Sequence, residues 1–312
     1  MYRKSFIFLV ILFIFSIVIP VPVYGNSQEE DDLYPITLID DLGLEVTLTK
    51  KPERIVSAAP SNTEIIFALG LEERLVGRSD FCNYPPDAER IESIGVMTPL
   101  NLEKIISLEP DLILAYGGFG TKDIPKLREL GFKVLVIEAF SLEEMLHSIE
   151  FIATACGIPE KGKELAADLT KRISTILSLH AHIPDMEKPK IFTGSGFETI
   201  WSPGSGTIFD ELITLAGGKN ITGNQQGWVP ISPELVIETQ PDIIIIPTGS
   251  MNPEEVTKMK NDIIKRPGWS GLPAVKNNHI FVVNEDLLYR EGPRLVEGLE
   301  LLYEIFHKIR EE

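Results

Sequence analysis

With 312 residues and 44% hydrophobic side chains, the chain is long enough for two domains of ordinary size. Its formal charge of −17 excludes a nucleic-acid or anionic-membrane surface as its partner, yet suits solubility in an exported protein or docking on a basic protein surface. The histidines (His147, His180, His182, His279, His307) include no pair at ligand spacing with a third partner, so no metal centre is expected.

Arg3 and Lys4 precede an apolar run, Phe6–Ile19, followed by Pro20 and a segment ending at Gly25. This order of n-, h- and c-regions reads as a secretory signal peptide over residues 1–25. The alternative is an uncleaved membrane tether, against which Pro20 and Pro22 interrupt the span. No cysteine follows the run to accept a lipid. Either way the remaining chain is expected outside the cytoplasm, periplasmic or at the cell surface. Cleavage removes two positive charges, taking −17 to −19.

Residues 26–35 are polar and acidic at their start and read as a flexible tether. Ile36 to Leu48 alternates around Asp41 and Gly43, a hairpin pattern. Arg54 to Pro60 reads as a buried strand, and Ser61 as the cap of a helix ending at Gly70, with Glu64 placed for a capping box. A strand at Leu75–Arg78 leads into SDFCNYPPDA, where Pro85-Pro86 should bar regular structure and present Phe81 and Tyr84 on a stiff loop.

The segment Pro99–Gly118, PLNLEKIISLEPDLILAYGG, recurs without a gap at Pro230–Gly249 as PISPELVIETQPDIIIIPTG. In each copy a capping residue (Asn101, Ser232) precedes a short helix with Glu103 or Glu234 in its first turn. Pro-Asp ends the helix, and a continuous apolar run follows, as in a strand buried on both faces. A unit used twice implies two similar lobes and a cleft between them. The GGFGTKD that follows the first copy lacks the GxxxxGK[ST] spacing, so it reads as a turn rather than a phosphate loop.

A strand at Lys133–Ile137 and an amphipathic helix at Ser141–Ala155 complete a first lobe, residues 36–158. Pro159–His182 then keeps helical spacing long enough to reach roughly 35 Å, so residues 159–183 are expected to be a rigid helix connecting the lobes. The second lobe, residues 184–312, carries a strand at Lys190–Thr193, the loop GSGFETIWSPGSG and helices at Thr207–Ala216 and Asn252–Lys265. A strand at Ile280–Val283 and a closing helix at Pro293–Ile309 follow. The expected fold is α/β: two lobes, each a mainly parallel sheet flanked by helices, joined by one long α-helix. Cys82 and Cys156 both fall in the first lobe, as a disulfide worth about 4 kcal/mol or as two free thiols. Asn220-Ile221-Thr222 matches a glycosylation sequon.

The succession RIVSAAPSNTEIIFALG, VGRSDFCNYPP, NLEKIISLEPDLILA, a long mid-chain helix, ELVIETQPDIIII and YREGPRL closely resembles the helical-backbone substrate-binding proteins of ABC importers. These carry cobalamin, ferric siderophores or haem to a membrane permease, and the resemblance covers nearly all of the mature chain. It implies a monomeric binding protein with no catalytic residue and no cofactor of its own. In that family a glutamate on each lobe docks on permease arginines, and the matching positions are Glu103 and Glu234. The bland account is that a first-turn carboxylate gains about 0.3–1 kcal/mol from the helix dipole.

Loops after strands also offer Phe81, Tyr84, Met97, Tyr116, Phe119, Trp201, Trp228 and Tyr289 as pocket walls. In the cobalamin-binding branch the pocket positions match Phe81, Tyr116, Trp228, and Asp286 with Arg290, while Met97 stands where that branch has a tryptophan. Only Arg266, Arg290 and Arg294 are placed to meet an anionic ligand. That favours a nearly neutral corrinoid, with a hydroxamate ferric siderophore or haem as the alternative. A tethered sensor without a permease and a chelatase- or hydrolase-like enzyme are the remaining readings. No Gly-x-Ser-x-Gly elbow, paired nucleophile and His, or HExxH supports the last.

Overall fold

The structure is a computed structural model and describes residues 33–120, 122–194 and 199–312. The expected signal peptide, most of the tether and residues 195–198 of the aromatic loop lie outside the described residues. The chain is already docked at Tyr34, whose phenol donates to the Ala155 carbonyl at 2.8 Å. Among the described residues no helix is long and apolar enough to cross a membrane.

Strands β1 (Ile36–Ile39) and β2 (Glu45–Leu48) form the expected antiparallel hairpin, turning through Gly43 at φ +74°. Asp40 ties this hairpin to the first lobe. Its buried carboxylate accepts from Leu44 N and Val136 N and pairs with Arg128. The first lobe then runs β3 (Ile55–Ser57), α1 (Pro60–Ala68), β4 (Leu75–Arg78), α2 (Leu102–Ser107), β5 (Leu112–Tyr116), α3 (Ile124–Glu129) and β6 (Val134–Ile137). Helices α4 (Leu142–Ala155) and α5 (Pro159–His180) follow. The second lobe contains β7 (Lys190–Thr193), β8 (Ile200–Pro203), α6 (Ile208–Leu215), β9 (Lys219–Asn220), β10 (Trp228–Ile231), α7 (Pro233–Thr239) and β11 (Ile243–Thr248). It closes with α8 (Pro253–Ile264), β12 (Ile280–Asn284), α9 (Asp286–Tyr289) and α10 (Leu295–Glu311).

Each lobe has one four-stranded parallel sheet, ordered β4-β3-β5-β6 and β9-β7-β11-β12. In chain order both read second, first, third, fourth. The repeated sequence unit supplies the third strand of each, and its apolar run is buried on both faces as a central parallel strand must be.

The two units also dock identically. The aspartate of Pro-Asp accepts backbone N–H groups at the start of its lobe's first strand: Asp111 from Glu53 and Arg54, Asp242 from Lys190 at 2.8 Å. The preceding residue is left-handed in both, Glu109 at φ 46° and Gln240 at φ 50°. A basic side chain caps the carbonyls freed there, Arg54 on Leu108 O at 2.6 Å and Lys190 on Thr239 O at 3.1 Å.

Helix α5 has 22 residues and so spans about 33 Å. Its first half lies on α4 at Gly162, where a Cβ would fall 2.5 Å from the Ala153 Cβ and 3.1 Å from the Glu150 Cα. Its second half belongs to the other lobe. Arg172 makes a two-pronged pair with Glu300 of α10 (2.8 and 2.7 Å), and His180 Nε2 lies 2.6 Å from the Leu215 carbonyl.

Two expectations are corrected, and two open readings are decided. Ser61 does not cap α1: Ala59 holds the cap position without a side-chain bond, and Glu64 turns into the protein instead. Pro86 opens a 3-10 turn, Pro86–Arg90, rather than an irregular loop. The cysteines are free and buried. Cys82 lies by Ser79 at the C-terminal end of β4, whereas the Cys156 carbonyl meets Arg74 at its N-terminal end. Four strand residues span about 13 Å, beyond the Cα separation a disulfide tolerates. Burial pushes the Cys156 thiol up to about 12, so it is an inert core side chain. Finally, the sequon asparagine is occupied internally, Asn220 Nδ2 donating to Pro203 O and Asp210 Oδ1 at 2.7 Å each.

Gly162→Ala forces α4 and α5 apart and is expected to lower the unfolding free energy by about 1–3 kcal/mol, read by urea denaturation. An unshifted midpoint contradicts the close approach.

Candidate functional site

In sheets of this order, loops leaving the C-terminal strand ends diverge on either side of a switch point and leave a crevice. The two lobes turn these ends toward each other. A cavity of about 410 Å³ lies between them, with Met97 and Tyr116 on one side and Asp286, Tyr289, Arg290 and Glu291 on the other. A larger cavity of about 530 Å³, around Lys188, Lys190 and Lys219, sits at the opposite, N-terminal strand ends of the second lobe and joins nothing from the first.

The side chains beside the cleft form a charged network across it. Glu64 of α1 accepts from Arg294 Nε and Nη2 at 2.9 and 2.5 Å and from Arg290 Nη1 at 3.1 Å. Asp286 pairs with Arg290 at 2.7 Å, one helical turn away. Arg290 also donates to Asn83 Oδ1 at 2.8 Å, and the Arg294 guanidinium lies 3.7 Å over the Tyr84 ring. All three principal charges are nearly buried, with side-chain exposures of 2% for Glu64, 10% for Arg294 and 13% for Arg290. Gly292 lets the chain pass, since a Cβ there would sit 3.2 Å from Glu64 Oε2.

A second bridge joins Tyr116, at the end of β5, to Glu291 of the other lobe through their side chains. Burial, reinforced by the charges of Glu291 and Glu138, pushes the Tyr116 phenol up to about 12. Burial likewise raises Glu291 to about 7. The glycines after β5 make room here: a Cβ on Gly117 would meet Glu138 Oε1 at 2.2 Å, and one on Gly118 the Tyr116 ring at 2.6 Å. Elsewhere along the interface, Leu142 N at the start of α4 donates to Glu211 of α6 at 2.8 Å.

Of the residues expected from sequence, Met97, Tyr116, Asp286 and Arg290 line the cavity. Trp228 reaches it indirectly, packing edge-on against Tyr289 with ring centroids 5.5 Å apart. Trp201 shares its ribbon, β8 pairing β10 so that Trp201 opposes Pro230 and Trp228 opposes Pro203. The pleat puts both indoles on one exposed face. Phe81 is exposed outside the cavity lining, and Tyr84 is spent on Arg294. Glu103 and Glu234 are exposed in the first turns of α2 and α7, capped by Asn101 and Ser232 as expected. Neither has an ion-pair partner among the described residues.

Glu64, Asn83 and Glu291 are absent from the site expected from sequence. A signal for Glu64 existed. Helix α1 has no polar face, and a lone carboxylate in a helix buried all round requires a buried cation. Among the described residues no group of three or more His, Cys, Asp or Glu converges as a metal site. The Tyr289 hydroxyl is buried without a hydrogen-bond partner among them.

Residues 55–287 match the model of a family described as periplasmic binding protein. A curated relative, an uncharacterised ABC transporter substrate-binding lipoprotein from Bacillus subtilis, is 34% identical over 90% of this chain and 88% of its own length. Among solved structures, the vitamin B12 binding protein of Vibrio cholerae superposes with a TM-score of 0.71 at 29% identity, covering 84% of this chain and 99% of that one. A periplasmic haem-binding protein from Roseiflexus sp. RS-1 gives a TM-score of 0.73 at 30% identity, over 83% and 99% of the two chains.

Glu64→Ala leaves two buried guanidinium groups short of a partner and is expected to destabilise the fold by about 3–5 kcal/mol, read by chemical denaturation. Loss below about 1 kcal/mol contradicts a buried cross-lobe pair. For Glu291 the sign is opposite. The folded chain holds its proton up to about pH 7 and the unfolded chain to about 4.5, so ionisation penalises the fold as pH rises between them. Glu291→Gln is therefore more stable than the parent at pH 8 and equal to it near pH 4.5; equal stability at both contradicts the burial.

Proposed function

The chain belongs to the periplasmic binding protein family, as a substrate-binding protein of an ABC transporter of the vitamin B12, haem and siderophore class, and from that premise we propose that its cleft captures a corrinoid. One observation carries this reading. Both arginines beside the cavity are already neutralised, by Glu64 and Asp286, so among the described residues the cleft has no spare arginine for an anionic chelate. A large, nearly neutral molecule with an amide rim suits such a site. Met97, Tyr116 and Tyr289 supply its walls, backed by Trp228.

The haem reading meets two obstacles. Its carboxylates would find both cavity arginines already paired, and ligation of its iron by Tyr116 would need a phenolate, whereas burial and two nearby acids hold that phenol protonated. A neutral hydroxamate chelate would meet neither.

Glu103 and Glu234 are proposed to dock the loaded protein on its permease. They occupy equivalent, exposed, capped positions of a unit that folds the same way in both lobes, which suits a partner with two similar subunits. Residues 1–25 are proposed to export the chain, and the folded part to act as a monomer outside the cytoplasm.

Isothermal titration with cyanocobalamin, with a ferric hydroxamate and hemin in parallel, is expected to show one-to-one binding to cyanocobalamin; binding to hemin alone contradicts the corrinoid reading. Trp228→Ala should weaken binding about tenfold or more, and an unchanged dissociation constant removes Trp228 from the site. The Glu103→Ala, Glu234→Ala double variant should keep its affinity and lose uptake in cells; undiminished uptake contradicts docking.

A further inference from the structure

The acids beside the cavity differ in what holds them. Glu64 and Asp286 are consumed by Arg290 and Arg294, which in turn are fully engaged: Arg294 with Glu64 and the Tyr84 face, Arg290 with Glu64, Asp286 and Asn83. Glu291 is different. Its hydrogen-bond donors are its own backbone N–H and the neutral phenol of Tyr116, reached across the cleft, and the residue lines the cavity. Further acid surrounds it. Glu285 lines the same cavity, and Glu138 stands against Gly117 at the foot of Tyr116.

We propose that Glu291 is the charge-selecting residue of the cleft: its carboxylate excludes ligands that bring an anionic group to this wall and accepts hydrogen bonds from neutral amide groups. Repulsion between like charges is strong where water is displaced, and among the described residues no unpaired arginine lines the cavity to offset it. An amide N–H arriving at the same place meets a carboxylate whose four lone-pair sites hold two donors, its own backbone N–H and the Tyr116 phenol, and so still has acceptor capacity. The groups facing Glu291 are Tyr116 from β5, Glu138 after β6, Glu64 of α1 through the arginines, and Arg290 of its own loop. The nearest cation, Arg290, is divided among three other acceptors.

The choice of first probe rests on the corrinoid reading; the charge selection itself does not. The probes are cyanocobalamin and the monocarboxylates formed by hydrolysing one of its propionamides, titrated into the purified protein and into Glu291→Gln, an isosteric change that keeps an acceptor for Tyr116. At pH 8 the parent is expected to bind at least one monocarboxylate about tenfold or more weakly than cyanocobalamin. Glu291→Gln should bring that ratio to within about threefold, whichever way the cyanocobalamin constant itself moves. The parent's own ratio should narrow at pH 6, where the carboxyl is protonated.

A ratio unchanged by the substitution overturns the proposal. So does an equal loss for both ligands, which would mark Glu291 as a structural tie between lobes. If the parent binds no corrinoid, the corrinoid reading falls by itself, and the same comparison is made with hemin and its dimethyl ester. Hemin binding strengthened in Glu291→Gln while the ester is unaffected upholds the charge selection; an equal response, or no binding of any probe by either protein, overturns it.

Discussion

A single buried carboxylate holds this architecture to its chemistry. Glu64 lies on the first helix of the first lobe, with apolar neighbours Ile65 and Ile66 fully buried beside it, and receives the Nε–Nη2 edge of Arg294 and one nitrogen of Arg290 from the second. A buried ion pair of this kind contributes little net stability over a well-packed apolar substitute. What it fixes is relative position and charge. The lobes are pinned where their C-terminal strand ends meet, and the guanidinium groups that would make the cleft an anion trap are neutralised from outside the ligand's space.

The rest of the frame keeps that junction stationary. The lobes share a sheet order because the same unit, ended by Pro-Asp, is docked the same way by Asp111 and Asp242 on the strand beside it. Helix α5 then joins them as one rigid rod, close-packed on α4 through Gly162 and clamped to α10 through Arg172 and Glu300. With a rod on one side and the Glu64 network on the other, wide hinge closure has no element to absorb it. Selectivity must therefore come from the standing shape and charge of the cleft.

How much of this could be read in advance depended on the range of the interactions. Helix caps, the hairpin turn at Gly43 and the buried strands are set within a few residues, so Asn101 and Ser232 cap their helices as expected, and Ser141 and Asn252 do the same in theirs. The internal repeat revealed two lobes for the same reason. Glu64 was misread because a capping box and a buried salt bridge place the same residue type in a helix's first turn. The deciding partners lie 226 and 230 residues away. Tyr84 looked like a pocket wall and is instead the shelf under Arg294. The β8–β10 ribbon carrying Trp201 and Trp228 left no local mark, because its strands are separated by a helix and interrupted by Pro203 and Pro230.

The most direct test is the structure of the complex with cyanocobalamin. The account predicts the corrin between Met97 and Tyr116 on one side and Tyr289, backed by Trp228, on the other, with the Glu64–Arg294 pair intact and Glu291 facing an amide. A ligand seated elsewhere, or one held by an arginine released from Glu64, would contradict it.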